Sequence, residues 1–158
     1  MSGLIVRPLE DAQAIAAILD SYGTGRFMVM RGIVYEADAL HAVVAERDGT
    51  VVGVAPYSLA GNIAFVAVAD LFIRDEEVAR ALLGAVEAFC RRAGRPFLRA
   101  ITSNDAIELI GLMQQLGYRI VAIWPNGMNL VRELKPSIPA VAANGVPIVD
   151  EIELEITL

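Results

Sequence analysis

Hydrophobic and polar positions follow strand-like and helix-like spacings along the middle of the chain. The segments 41–47 (HAVVAER) and 50–59 predict two strands, and Asp48-Gly49 between them predicts a two-residue hairpin turn, because both positions tolerate positive φ. Residues 63–73 predict a third, largely buried strand. Residues 75–93 predict an amphipathic helix whose apolar residues repeat every three or four positions. The centre of the chain therefore predicts a hairpin, a buried strand and a helix in succession.

Shorter patterns on both sides of this centre complete the predicted fold. Residues 22–39 show no clear period and predict no definite element. Three prolines after position 135 predict an irregular stretch, so residues 133–158 are expected to form an extended tail that ends in a strand. A chain of 158 residues suits one domain, and the order of elements predicts a mixed sheet flanked by helices over residues 1–158. The remaining predicted elements are strands at 4–7, 97–102 and 118–124, helices at 10–19 and from 103–105 to about 117, and a final strand within 151–158.

Composition and charge exclude several classes of function. The net charge is −6, and the chain has one lysine, Lys135, so a nucleic-acid partner is not expected. With one cysteine, Cys90, and one histidine, His41, the chain can form neither an intrachain disulfide nor a Cys/His zinc cluster. The longest apolar stretches, such as 63–69, are too short to span a bilayer. We therefore expect a cytoplasmic, soluble protein with no metal and no membrane partner.

Five segments carry recognisable local phrases, which are VAERDGTVVG (44–53), VARALLGAVEAFCRRAG (78–94), ITSNDAIELI (101–110), QQLGYRIVAI (114–123) and the tail 133–155. Together with the order of elements, they resemble the GNAT superfamily of acetyl-CoA-dependent acyltransferases over nearly the whole chain. The resemblance implies a single GNAT-like α/β (α+β) domain with a mixed, mostly antiparallel sheet flanked by helices. It also implies acetyl-CoA as the cofactor and a small-molecule amine as the acceptor.

The pyrophosphate loop implied by the resemblance departs from the family pattern Arg/Gln-x-x-Gly-x-Gly/Ala. Arg74 fills its first position and Ala79 its last, whereas Glu77 stands in place of the middle glycine, after Asp75 and Glu76. A glutamate prevents close backbone approach and adds negative charge near a negative ligand, which predicts CoA binding weaker by about one to three orders of magnitude. In another interpretation the acids stabilise the start of a helix. In a third, the phosphates lie near Arg74, Ala79 and Arg80 and the acids point outward.

The resemblance also implies a set of site residues. Asp70, at the end of a strand, is the candidate base, although it can equally be an ordinary strand-end acid. Asn104 is expected either to cap the following helix or to contact the CoA arm. Met113 stands where the family has a tyrosine that protonates the departing thiolate, and a thioether cannot donate a proton. The implied cofactor-binding residues are Leu71, Phe72 and Ile73, whose strand would pair with the pantetheine arm, and Arg74, Val78, Ala79, Arg80 and Asn104.

Two functions follow from these observations. The first is an acyl-CoA N-acyltransferase that transfers an acetyl group to an unknown small amine with a weak, divergent CoA site. The second is a catalytically impaired GNAT-derived module that binds a ligand or a protein. A homodimer is a further expectation, in which the extended tail from Lys135 pairs edge to edge with a neighbouring chain.

Overall fold

The computed structural model describes residues 3–69 and 72–158 and forms one mixed sheet with helices packed against it. The helices are α1 (Ala12–Ser21), α2 (Glu76–Arg92), α3 (Ile107–Gln115) and α4 (Gly127–Leu134). The strands are β1 (Leu4–Leu9), β2 (Phe27–Met30), β3 (Ile33–Glu36), β4 (His41–Arg47), β5 (Thr50–Ser58), β6 (Ala64–Ala67), β7 (Phe97–Ser103), β8 (Arg119–Trp124) and β9 (Glu151–Thr157).

Seven strands form the main sheet in the order β1-β4-β5-β6-β7-β9-β8, while β2 and β3 form a separate hairpin. Every neighbouring pair in the main sheet is antiparallel except β6 and β7, which are parallel and are connected through α2. The predicted α/β fold with a mixed, mostly antiparallel sheet is confirmed. The parallel pair is also the place where the carboxyl ends of two adjacent strands face the same edge of the sheet.

The predicted hairpin and central helix are confirmed almost residue by residue. Asp48 and Gly49 have φ values of 52° and 77°, as a type I′ turn requires. Helix α2 begins after the N-cap Asp75 and ends at Arg92, and Gly94 follows with a φ of 74°. Local turn and capping chemistry is strong enough here to fix the boundaries.

The predicted third strand is too long. Strand β6 ends at Ala67, and the N–H groups of Phe72 and Ile73 both donate to the carbonyl of Ala69, which makes a turn. The turn packs back on β5, where the Val54 N–H donates to the Phe72 carbonyl and Ile73 bridges to Gly53. Phe72 and Ile73 are therefore not part of β6, and their N–H groups are already used within the chain. Pairing of residues 71–73 with a pantetheine arm stays a prediction.

Two further elements differ from the sequence prediction. Residues 22–39 contain the β2–β3 hairpin, whose turn places Arg31 and Gly32 at φ values of 57° and 71°. Helix α4 was not expected, and helix α3 begins after Ala106, with no side-chain cap from 103–105. The final strand β9 lies between β7 and β8, so both of its edges are paired within the chain. The tail therefore has no open edge at β9 for the expected pairing with a neighbouring chain.

The hydrophobic residues form a large core and a small second cluster. The large core fills the space between the main sheet and its helices. The second cluster consists of Val29, Met128, Val131 and Ile148, with Phe27, Ile138 and Ala142 packed against it, and it joins β2, α4 and the tail. Within the described ranges, no helix is both long and apolar enough to cross a bilayer.

Candidate functional site

A cavity of about 670 Å³ lies at the carboxyl ends of β6 and β7. Ala67 and Val68 line it from the β6 side, and Ile101, Thr102 and Ser103 line it from the end of β7. The opposite wall comes from the second cluster and the tail. Ligands of α/β proteins bind outside the carboxyl ends of parallel strands, so the fold places this mainly apolar cavity at the expected position for a site.

The cavity contains two of the predicted cofactor residues, Phe72 and Arg74. The buried Phe72 ring packs edge-on against Tyr22, with ring centroids 5.7 Å apart, and the exposed Arg74 guanidinium lies 6.0 Å from the Tyr22 centroid. A groove of about 430 Å³ adjoins the cavity through Tyr22 and Arg74, and Arg47 and Asp75 also line it. Two arginines therefore face an open groove beside the apolar cavity.

The other predicted cofactor residues lie elsewhere. Ile73, Val78 and Ala79 are buried in the large core, and Arg80 is exposed on α2. Asp70, the predicted base, and Leu71 lie outside the described residues. The cofactor roles of these residues stay predictions.

Asp75 acts as a helix cap. Its Oδ1 accepts a hydrogen bond from the Val78 N–H at 2.7 Å, and its backbone is extended as an N-cap requires. This N–H is one of the donors that an unoccupied helix start would offer to an anion. The structure thus agrees with the interpretation that the acids start the helix, and one donor of the anion site is filled by the chain's own carboxylate.

Each acid of the segment 75–77 has an arginine partner. Arg47 lies 2.5 Å from Glu77 and 3.4 Å from Asp75, and Arg80 lies 2.7 Å from Glu76. These pairs are exposed and contribute little to stability, but they place positive charge beside every carboxylate of the segment. Repulsion of an approaching diphosphate is therefore smaller than for three unpaired acids.

Asn104 holds the tail against the end of β7. Its Oδ1 accepts from the N–H groups of Val149 and Asp150 at 2.9 and 3.0 Å, and its Nδ2 donates to the Pro147 carbonyl at 2.9 Å. The predicted capping role is wrong, because these bonds take the side chain away from α3. Its contact to a CoA arm stays a prediction and would have to use the second Nδ2 hydrogen.

Met113 and Tyr118 are packing residues. Met113 is completely buried in the large core and is not among the residues that line the cavity. Tyr118 is also buried, and desolvation raises the pKa of its phenol. The position where the family has a proton-donating tyrosine therefore contributes only apolar volume here.

Lys135 is a site residue that the sequence did not identify. It follows α4, is only 4% exposed and lines the cavity. Its Nζ donates to the Phe27 carbonyl at 2.6 Å, and desolvation lowers its pKa to about 8. The sequence marked Lys135 only as the single lysine of the chain, and composition alone does not show that a residue is buried.

Glu151 is the second such residue. It lines the cavity and is buried, with Arg31 as its cationic neighbour at 3.7 Å. Desolvation, the largest effect, raises its pKa. Arg31 reaches across from the β2–β3 turn to cover both Glu151 and Glu153 of β9.

Comparison with known proteins decides the family. The model of the Acetyltransferase (GNAT) family matches residues 12–118. The chain belongs to the GNAT acetyltransferase family. This GNAT chain is 33% identical over 132 residues to the uncharacterized protein YdhI of Bacillus subtilis (strain 168). The match covers 83% of this chain and 82% of YdhI.

Solved structures share the GNAT fold along the full length. An acetyltransferase from Bacillus subtilis in complex with CoA has a TM-score of 0.65 at 17% identity, covering 98% of this chain and 99% of that one. A GNAT family acetyltransferase from Elizabethkingia anophelis with acetyl-CoA bound has a TM-score of 0.65 at 17% identity, covering 100% of both chains. At this identity the likeness shows the fold alone, and the family assignment comes from the sequence.

Proposed function

We propose that this protein is an acetyl-CoA-dependent N-acetyltransferase that transfers an acetyl group to a small amine. The observation that carries the proposal is the apolar cavity at the carboxyl ends of β6 and β7, with the arginine-lined groove beside it. The CoA and acetyl-CoA complexes of structures with the same fold support a cofactor of this kind.

The cofactor would enter the cavity from the groove. Arg74 lines the groove and offers positive charge to the diphosphate, while Arg47 neutralises Asp75 and Glu77 beside it. Phe72 begins the apolar path. Thr102 lines the cavity, and its hydroxyl oxygen is buried with no hydrogen-bond partner among residues 3–69 and 72–158. A polar group of a bound ligand would satisfy this hydroxyl.

In the chemical step the amine nitrogen attacks the thioester carbonyl, a C–N bond forms, and the C–S bond breaks to release CoA thiolate. The amine must lose a proton, and Glu151 is a carboxylate suited to accept it because it lines the cavity and burial raises its pKa. Asp70 remains the base predicted from the sequence. Most of the rate would come from positioning the amine beside the thioester, since no side chain forms a covalent intermediate.

A blocked cavity tests this proposal. Ala143→Trp adds a large ring to an exposed residue that lines the cavity, whereas Ala17→Trp adds the same ring to the exposed face of α1 outside it. We expect about 1 mM acetyl-CoA to raise the melting temperature of the wild type and of Ala17→Trp, but not of Ala143→Trp. With a panel of amines as acceptors, the wild type and Ala17→Trp should release free thiol from acetyl-CoA, and Ala143→Trp should not.

Other outcomes separate the two functions. Stabilisation by acetyl-CoA without transfer to any amine would favour the catalytically impaired binding module. No stabilisation by acetyl-CoA, propionyl-CoA or CoA would overturn the proposal. Binding of acetyl-CoA by Ala143→Trp as tight as that of the wild type would show that the cavity is not the cofactor site.

A further inference from the structure

A lysine side chain is buried in the wall of the cavity. The Nζ of Lys135 lies 2.6 Å from the Phe27 carbonyl oxygen, 3.9 Å from the Met28 sulfur and 5.1 Å from the centroid of the Phe27 ring. The side chain therefore crosses from the end of α4 to β2 and lines the cavity there. Lys135 does not line the groove of Arg47 and Arg74.

The hydrogen bonds of Lys135 are incompletely satisfied within the chain. An ammonium group has three donors, and the Phe27 carbonyl accepts one of them at a good distance, while the Met28 thioether is a weak acceptor. Among the described residues no carboxylate lies within 4.0 Å of this amine, although eight such ion pairs occur elsewhere. A buried cation without an anion is unfavourable, so this arrangement favours an anionic ligand.

The surroundings of Lys135 restrict the rest of that ligand. The wall beside it is the second cluster, with Val29, Met128, Val131 and Ile148, and it offers no charge to a polar body. The other charged residues that line the cavity are Arg74, Asp105 and Glu151. Asp105 is only half-buried and accepts a hydrogen bond from the Ser103 hydroxyl, whereas Glu151 is buried and has Arg31 beside it, so Glu151 is the buried acid of the cavity.

We propose that Lys135 binds a carboxylate of the acceptor, so that the acceptor is an amine that also carries a carboxylate on an apolar body. The proposal rests on the proposed acetyl transfer and adds the class of substrate. In the complex the carboxylate meets the Lys135 amine, the apolar body packs on the second cluster, and the amino group faces Glu151. An amino acid with an apolar side chain has this combination of groups.

Matched acceptors with and without the carboxylate test the substrate class. Phenylalanine and 2-phenylethylamine differ by that group, as do leucine and 3-methylbutylamine. With the wild type we expect the acids to have a kcat/KM about ten- to a hundredfold higher than their decarboxylated partners, as a hydrogen bond between charged groups provides. Equal rates for both members of each pair would overturn the proposal and leave the acetyltransferase intact.

Variants assign the preference to Lys135. Lys135→Met keeps an unbranched, slightly shorter side chain and removes the charge, so it should raise KM for the acids by about the same ten- to a hundredfold while leaving KM for acetyl-CoA and for the simple amines unchanged. Lys135→Arg should restore part of the preference. Arg74→Met, at the groove, should show the opposite split, with a raised KM for acetyl-CoA only.

A binding measurement separates failure of this proposal from failure of the acetyl transfer. 3-Phenylpropionate should raise the melting temperature of the wild type and of Lys135→Arg but not of Lys135→Met, whereas 3-phenylpropanamide should have no effect on any of them. This result needs no turnover. A raised KM for acetyl-CoA in Lys135→Met would instead assign the amine to a phosphate of the cofactor and overturn the proposal.

Discussion

Lys135 combines a proposed ligand contact with an energetic cost to the folded state. Burial lowers its pKa to about 8, against 10.5 for an ordinary lysine, so the folded protein releases this proton first. The wild-type free energy of unfolding should therefore rise with pH between about 8 and 10.5, because the unfolded chain binds the extra proton there. Below pH 8 the buried charge costs about 3 kcal/mol, at about 1.4 kcal/mol per pKa unit.

Lys135→Met should thus be more stable than the wild type at pH 7, by about 1–3 kcal/mol after the lost hydrogen bond to Phe27 is subtracted. The difference should shrink as the pH rises from 8 to 10.5. Urea unfolding at pH 7 and pH 10 measures it, with the cavity residues Arg74, Asp105 and Glu151 left unchanged. A difference that is the same at both pH values would contradict the burial of a charged amine.

At the scale of elements, the start of α2 depends on a close approach to β5. A Cβ at Gly53 would lie 2.5 Å from Cγ1 of Val78 and 3.1 Å from the Phe72 carbonyl oxygen. Gly53→Ala should therefore lower the free energy of unfolding by about 1–3 kcal/mol, since the β-branched valine and the backbone cannot move away cheaply. Gly84→Ala, at an open position of the same helix, should raise it by up to about 1 kcal/mol. Chemical denaturation of both variants gives the comparison, and equal effects would mean that β5 and α2 pack less closely.

The elements also show what the sequence could predict. The predicted turn at Asp48-Gly49 and the predicted ends of α2 were correct, because each depends on turn or cap residues within a few positions. The β2–β3 hairpin was missed because its turn places Arg31 at positive φ, where arginine is rare. Helix α4 was missed because its eight residues are too few to show a clear helical repeat of apolar positions. Its buried residues pack on β2 and the tail, which are distant in the sequence.

In the candidate site, too, residues placed by local sequence could be predicted and residues placed by distant contacts could not. Phe72 and Arg74 could be placed from a local motif, and both line the cavity or groove. Lys135 and Glu151 could not, because their positions depend on α4 and on the insertion of β9 between β7 and β8. The part of the cavity formed by Phe72 and Arg74 is thus encoded locally, while the part formed by Lys135 and Glu151 is built from contacts between residues more than a hundred positions apart.

At the scale of the whole molecule, the sheet has two outer strands, β1 and β8, and they differ in character. Strand β1 carries Arg7, which forms an ion pair with Glu46 of the neighbouring strand β4. Strand β8 instead exposes four large apolar residues along its length, which are Ile120, Val121, Ile123 and Trp124. The sequence predicted a homodimer that pairs through the tail from Lys135. We propose instead that a homodimer pairs β8 with β8 of a second chain, since apolar edge strands are the usual templates for such pairing.

Ile123→Lys should convert this dimer to a monomer, because a lysine on an edge strand opposes pairing with another strand. Ile5→Lys places the same charge on an equally exposed isoleucine of β1 and should leave the dimer intact. Size-exclusion chromatography with light scattering over a range of concentrations measures both masses. A wild-type chain that is monomeric at every concentration would refute the dimer, and dissociation by Ile5→Lys alone would move the interface to β1. In either case the cavity at β6 and β7 lies at the centre of the sheet, away from both edges, so CoA binding by Ile123→Lys should equal that of the wild type.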